Sequence, residues 1–342
     1  MITTKEVGFS GEQPIIAFTL MNRNGHSVEL LNLGGKITAI RVPDQHGTIE
    51  NVVLAFDDME EYLEDPHHLG ATIGRVGGRI ANGAFALEGM NYILEQNEGE
   101  HHLHGGSVNW SNRFFDYEID GELLHLLLTS PDGENGYPGQ LDVRLTIDWT
   151  DEDVLILTYH ATTTASTPFS PTNHTYFNLT GNAKTTIEQH RLRMDAPFYV
   201  PLNEESVPTG EILSVNETVF DFRKARSLYE VTHASDEALR QAGSGVDHPF
   251  LLKEGGEIVL EEPVSGRILR VETDQPGVVV YTGNHLAGDF TIAGRRATPY
   301  LGICLETQGL PDAINQPDFP SVVLRAGEVY EKRTTFQFSR VQ

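Results

Sequence analysis

The feature that most constrains this chain is the recurrence of short β-branched and aromatic runs at roughly ten-residue spacing, separated by turn-forming residues. PIIAFTL, HSVELLNL, KITAIRVP and ENVVLAF open the series, RFFDYEID, LLHLLLTS, LDVRLTIDW and VLILTYHATTT fill its middle, and GVVVYTG, YLGICLET, SVVLRA and VYEKRTTFQF close it. Runs this short suit strands, whose alternate side chains reach opposite faces of a sheet. Asp120-Gly121 predicts a hairpin between RFFDYEI and LLHLLL, Glu88-Gly89 predicts another between FAL and NYIL, and Asp151-Glu152-Asp153 separates a further pair of strands. Only DDMEEYLED at 57–65 and SDEALRQA at 235–242 have helical spacing, and the charged stretch 195–245 reads as extended loops. No linker tract or fixed-period repeat divides the 342 residues. The expectation is therefore one all-β domain over 1–342, a large antiparallel β-sandwich or barrel-like fold with few short helices.

Charge narrows the partners. Lys and Arg number 24 against 49 Asp and Glu, a net charge of -25, which repels a nucleic-acid backbone and weakly disfavours anionic substrates. LLHLLL at 123–128 is strand-sized, well short of the roughly eighteen apolar residues that span a bilayer, so no membrane partner is expected. MITTKEVGFSGEQ lacks the basic and apolar regions of a secretory signal. The single cysteine, Cys304 in LGICL, cannot form an internal disulfide, and a buried thiol in a reducing, cytoplasmic setting is expected.

Chemistry is sought in four polar groupings. GATIGRVGGRIANG at 70–83 sets Arg75 and Arg79 among glycines, outside the strand-to-helix context of a dinucleotide fingerprint. Their guanidinium forks either pair with surplus carboxylates or hold hydroxyl or carboxylate groups bidentately. EHHLHGG at 100–106 crowds His101, His102 and His104, yet neither an HExxH helix nor a cysteine pair completes a zinc set, so no metal is expected. Imidazoles beside a turn, or a neutral imidazole donating to a sugar hydroxyl, are the other readings.

SPTNHTYFNLTG at 170–181 brings Asn173, His174, Tyr176 and Asn178 together. Asn173 and Thr175 can serve the local backbone, whereas His174 is the best proton donor or acceptor near neutrality. In GICLETQGLPDAINQPDFP at 302–320, alternation puts Ile303, Leu305 and Thr307 on one face and Cys304, Glu306 and Gln308 on the other. Facing solvent, Glu306 is an ordinary carboxylate; lining a pocket, it is a candidate general base with a raised pKa.

GRVGGRIANG, NEGEHHLHGG, SPTNHTYFNLTG, GVDHPF, QPGVVVYTGNHL and CLETQGLPDAINQPDFPSVVLRAGE, in this order, resemble the aldose 1-epimerase (galactose mutarotase) family over nearly the whole chain. The resemblance implies a galactose mutarotase-like supersandwich and an isomerase with no metal or organic cofactor. Its activity would be the interconversion of α and β anomers of free hexoses such as galactose and glucose. The family's general base falls on Glu306 and its general acid on His174, set on opposite sides of the sugar. Arg79, His104 and Asp247 match positions that hold sugar hydroxyls, with Tyr176 beside them. Gly78 stands where relatives often have Asn, and Val279 where some have Gln, so hexose preference is open. Under this assignment Glu306 keeps His174 protonated, and a bell-shaped pH profile reports Glu306 on its acidic limb and His174 on its alkaline limb. The alternatives are a hexose-6-phosphate 1-epimerase, which needs a cationic pocket, and a non-catalytic carbohydrate-binding protein on the same fold. Either a monomer or a homodimer is compatible with the sequence.

Overall fold

Two-residue alternation builds the largest sheet. In the computed structural model, which describes residues 1–341, Leu141–Trp149 and Val154–Thr163 bury alternate side chains along their length. Such strands set one face on a core and the other toward water. Nine strands pair in the order Asp116–Asp120, Leu123–Ser130, Leu141–Trp149, Val154–Thr163, Val329–Arg340, Arg267–Thr273, Glu257–Glu261, Arg191–Met194, Arg226–Ser227. A six-stranded sheet runs Tyr176–Phe177, Ile303–Gln308, Gly277–Tyr281, Asp247–Leu251, Phe198–Tyr199, Leu213–Ser214. The first five strands, from Ile2–Ser10 to Ile49–Asn51, form a third sheet in chain order. All pairs of these strands are antiparallel, as the run-and-turn pattern predicts; a parallel bridge joins Val76 to Ser170.

One apolar cluster joins the sheets. Phe18 and Leu20 come from the first, Leu126, Leu145, Leu157 and Phe336 from the nine-stranded sheet, and Val278, Val280, Ile303 and Leu305 from the six-stranded sheet. The six-stranded sheet therefore gives one face to the core and keeps the other for the polar residues described below. Among the described residues no helix is long and apolar enough to cross a membrane.

Local chemistry explains where turns and helices fall. Asp120 pairs with Leu123, so the turn is Gly121-Glu122, one residue later than expected, because Gly121 at φ +62° supplies the left-handed first position of a type II′ turn. Glu88-Gly89 lies where expected, both residues left-handed. DDMEEYLED forms only the 3-10 turn Met59–Tyr62, capped by Asp58, and SDEALRQA forms the α-helix Glu237–Gln241, capped by Asp236. A further α-helix, Leu228–Thr232, was not expected; five residues are too few to display a period. With Glu237–Gln241 it interrupts a stretch that is otherwise loops and two-residue strands.

Candidate active site

Strand Ile303–Gln308 is buried at every position, because Ile303 and Leu305 enter the core while Glu306 lines a pocket on the other face. Glu306 is 3% exposed, which sets aside the reading of an ordinary surface carboxylate. Register carries the pocket floor across three strands: Glu306 lies opposite Val279, and Val279 opposite Pro249. In the neighbouring row Tyr176 lies opposite Cys304, Cys304 opposite Tyr281, and Tyr281 opposite Asp247. Strands lie about 4.8 Å apart, so Glu306 and Asp247, two strands apart, mark the ends of a floor roughly 10 Å wide. The cavity above it measures ≈ 240 Å³, below the ~300–1,000 Å³ of drug-sized ligand sites, and so suits a small molecule.

Short strands bring in the walls. Thr172–His174 pairs with Ala71–Ile73 and delivers His174. Its Nε2 lies 3.6 Å from Glu306 Oε1. Burial pushes the Glu306 carboxyl well above its ordinary value, with Asp247 adding to the effect. Burial also pushes the His174 imidazole well below 6.5, and His68 adds to that. Both shifts favour the uncharged forms, the opposite direction from a carboxylate that holds its neighbour as an imidazolium. The two groups stand side by side at the pocket.

Arg79–Ile80 pairs with His102–Leu103, setting Arg79 next to the turn that carries His104. His104 Nδ1 accepts the Gly78 N–H at 3.1 Å, so the neutral ring carries its proton on Nε2. Burial holds His104 well below 6.5. Gly78 has φ +77°, and a Cβ there would lie 2.7 Å from Pro311 Cγ, so it serves through its backbone and the close approach of Pro311. Arg79 Nη2 donates to Glu98 Oε1 at 2.6 Å. Burial raises the Asp247 carboxyl, and Arg79 partly offsets it. Tyr176 lines the pocket, but its hydroxyl donates to the His67 carbonyl at 3.0 Å.

Several polar residues singled out in the sequence go elsewhere. Arg75 is buried under Ser130, Pro131, Pro138 and Thr167, to which it donates. His101 accepts from Asn82 N–H and faces Glu205, while His102 bonds the Glu95 carbonyl beneath Tyr137. The three histidines thus diverge, and only His104 lines the pocket. Asn173 and Asn178 bind backbone carbonyls. Sequence reasoning missed His67, His68, Leu202, Ser206, Tyr281 and His285, all pocket-lining. Alternation from Val279 could have found Tyr281; no spacing signal marked the others.

A family model described as aldose 1-epimerase matches residues 17–337. The human galactose mutarotase is 41% identical over 319 residues, covering 91% of each chain. The Haemophilus influenzae aldose 1-epimerase is 34% identical over 331 residues, covering 95% of this chain and 96% of that one. Among solved structures, the galactose 1-epimerase from Lactobacillus acidophilus superposes with a TM-score of 0.87 at 27% identity, covering 100% of this chain and 99% of that one. Matching along nearly its whole length in sequence and in fold, the chain belongs to the aldose 1-epimerase family.

Proposed function

We propose that the protein is an aldose 1-epimerase that interconverts the α and β anomers of free hexoses such as galactose and glucose, with Glu306 and His174 as its proton-transfer pair. The observation that carries this reading is the 3.6 Å approach of His174 Nε2 to Glu306 Oε1 in a pocket of monosaccharide scale. Ring opening removes a proton from the anomeric hydroxyl and adds one to the ring oxygen. The resting pair holds one transferable proton in all. Passing it from Glu306 to His174 creates the carboxylate and imidazolium the reaction uses, without net uptake from solvent. Sugar hydroxyls that donate to the carboxylate replace the hydration burial removed. Glu306 then takes the hydroxyl proton while His174 protonates the ring oxygen, giving the aldehyde. Rotation about the bond to the aldehyde carbon and closure with the roles exchanged give the other anomer.

Arg79, His104 and Asp247 hold the sugar hydroxyls in this reading; Tyr176 shapes the wall and Gly78 contributes backbone. Val279 and Pro249 leave the floor beside Glu306 aliphatic. Arg79 is the one Lys or Arg among the described lining residues and is already engaged by Glu98, so a phosphorylated hexose fits less well than a free one. No other group is needed for the proton transfers, so no cofactor enters the scheme. A monomer or a homodimer is compatible with this reading. A single domain is supported by the shared apolar cluster, and a cytoplasmic setting by the buried free thiol of Cys304.

Polarimetry of freshly dissolved α-galactose and α-glucose tests the reading. Acceleration over the spontaneous rate by the protein, lost in Glu306→Gln and in His174→Asn, is the expected result. Buffer-level rates with the unaltered protein would remove it.

A further inference from the structure

Besides His104 and His174, the pocket is lined by His67, His68 and His285, of which His68 packs against the first two. His68 has its ring centroid 5.2 Å from that of His104 and 5.9 Å from that of His174. Its tautomer follows from its neighbours. Ser111 Oγ donates its one proton to Asn109 Oδ1 at 2.5 Å. Ser111 can therefore only accept at its 3.1 Å contact with His68 Nδ1, so Nδ1 carries the ring proton. The other nitrogen, Nε2, is left with a free lone pair. His104 is the opposite case, since its Nδ1 is occupied by the Gly78 N–H and its Nε2 bears the proton. The pocket thus presents one imidazole acceptor and one imidazole donor on rings whose centroids lie 5.2 Å apart. A hydroxyl group, which donates once and accepts twice, is the ligand chemistry that satisfies both.

Two further features fit a binding role. Burial holds the His68 imidazole near pH 4, so the acceptor stays unprotonated around neutrality. The residue also sits at φ +54°, a left-handed backbone that histidine adopts more readily than most side chains and that the pocket-lining His104 shares at φ +51°.

We propose that His68 is a substrate-binding residue of the pocket: its Nε2 accepts a hydrogen bond from a sugar hydroxyl that at the same time accepts from His104 Nε2–H. This rests on the aldose reading of the site and extends it to a contact that the acid/base pair does not require. It makes His68 a determinant of which hydroxyl pattern is bound.

The test pairs substitutions with deoxy sugars. His68→Asn suits the left-handed backbone and keeps an amide near the Ser111 hydroxyl, but deletes the pocket nitrogen. It is expected to raise KM for galactose roughly three- to tenfold, as for a lost neutral hydrogen bond, with kcat within about twofold. Across a series of monodeoxy galactoses, the sugar lacking the partner hydroxyl should show no difference between His68→Asn and the unaltered protein. His68→Gln, which returns an acceptor close to the Nε2 position, should recover part of the loss. An unchanged KM in His68→Asn, or an equal penalty on every deoxy sugar, overturns the proposal, as does a fall in kcat at constant KM. If the unaltered protein fails to accelerate mutarotation, the aldose reading fails first. Calorimetric titration of galactose into the unaltered protein and His68→Asn then decides the contact separately: a several-fold weaker Kd in the variant keeps it, and equal or undetectable binding removes it.

Discussion

Two buried acid–base pairs sit within a few residues of each other's supports, and they are built on opposite principles. Lys36 Nζ lies 3.0 Å from Asp65 Oδ2, with both side chains 0% exposed. Lys36 also donates to the Tyr62 carbonyl at 3.0 Å, and Asp65 accepts the His67 N–H at 3.0 Å. Burial lowers the Lys36 pKa, and Asp65 opposes that shift. The His174–Glu306 pair is longer, at 3.6 Å, and opens on a cavity instead of on backbone donors and acceptors. A buried pair tied to backbone groups as well as to each other fixes structure; a pair that opens on a cavity leaves valences for a ligand, which the proposed proton transfer uses. The Lys36–Asp65 pair anchors the segment that presents His67 and His68 to the pocket, so the backbone-tied pair supports the cavity-facing one.

The comparison breaks most visibly in rate. Glu306→Gln and His174→Asn should each cut the mutarotation rate about 10²- to 10⁴-fold, while near neutrality the melting temperature holds for His174→Asn and holds or rises for Glu306→Gln, whose carboxyl burial disfavours in its charged form. If either variant lost stability in proportion to activity, the pair would belong with Lys36–Asp65 as a structural element. Lys36→Met should behave in the reverse sense. Leaving Asp65 buried and unpaired should cost about 3–5 kcal/mol, read as a large drop in denaturation midpoint, and Lys36→Met with Asp65→Leu should recover much of it. Protein that still folds should retain most of its kcat.

Dependence on pH separates the pairs more finely. His174 is pushed below 6.5 by burial, so its neutral form stabilises the fold above 6.5, and that contribution is lost as pH falls toward the lowered folded value. Glu306 is pushed above 4.5, so its contribution is present below 4.5 and is lost as pH rises through the raised folded value. Thermal melts should show His174→Asn gaining on the parent in acid and Glu306→Gln gaining toward alkaline pH. His190 and His248, both held near pH 4 by burial, should add a general loss of stability between 6.5 and 4. A bell-shaped rate profile is expected, and the directions of these shifts assign its limbs differently from the sequence reading. The acidic limb reports the pair's second proton going onto His174, and the alkaline limb reports the loss of its last proton from Glu306. A stopped-flow or polarimetric profile that declines just above 6.5, the ordinary histidine value, would restore the imidazolium assignment.

Legibility in the sequence follows the same divide. The antiparallel sheets were readable because alternation in runs such as LDVRLTIDW is set locally, one residue at a time. Strand alternation also put Glu306 and Cys304 on one face, and the structure agrees. Arg75 and Arg79, four residues apart among the same glycines, could not be told apart: one is sealed under Ser130 and Pro138, the other lines the pocket. That difference is set by residues more than fifty positions away, which local pattern does not encode. For His174 the neighbouring Glu306 was readable in the sequence, whereas the burial that lowers its pKa was not. His68 lay hidden because the tautomer on which its proposed role rests is set by Ser111 and Asn109, two residues distant in the chain.

The smallest effect concerns Tyr176, which belongs to the pocket by position and to the scaffold by bonding. Its hydroxyl donates to the His67 carbonyl at 3.0 Å, in the segment anchored by Asp65. Tyr176→Phe keeps the ring against Tyr281 and His174 and removes that one bond. The expected cost is about 1 kcal/mol of stability, with kcat near the parent value and KM raised no more than about twofold. Guanidinium denaturation and polarimetry on the same samples separate the two readouts. A tenfold rise in KM without loss of stability would move the Tyr176 hydroxyl from the supporting side of the comparison to the sugar-binding side, and His67 would then need another partner for its carbonyl.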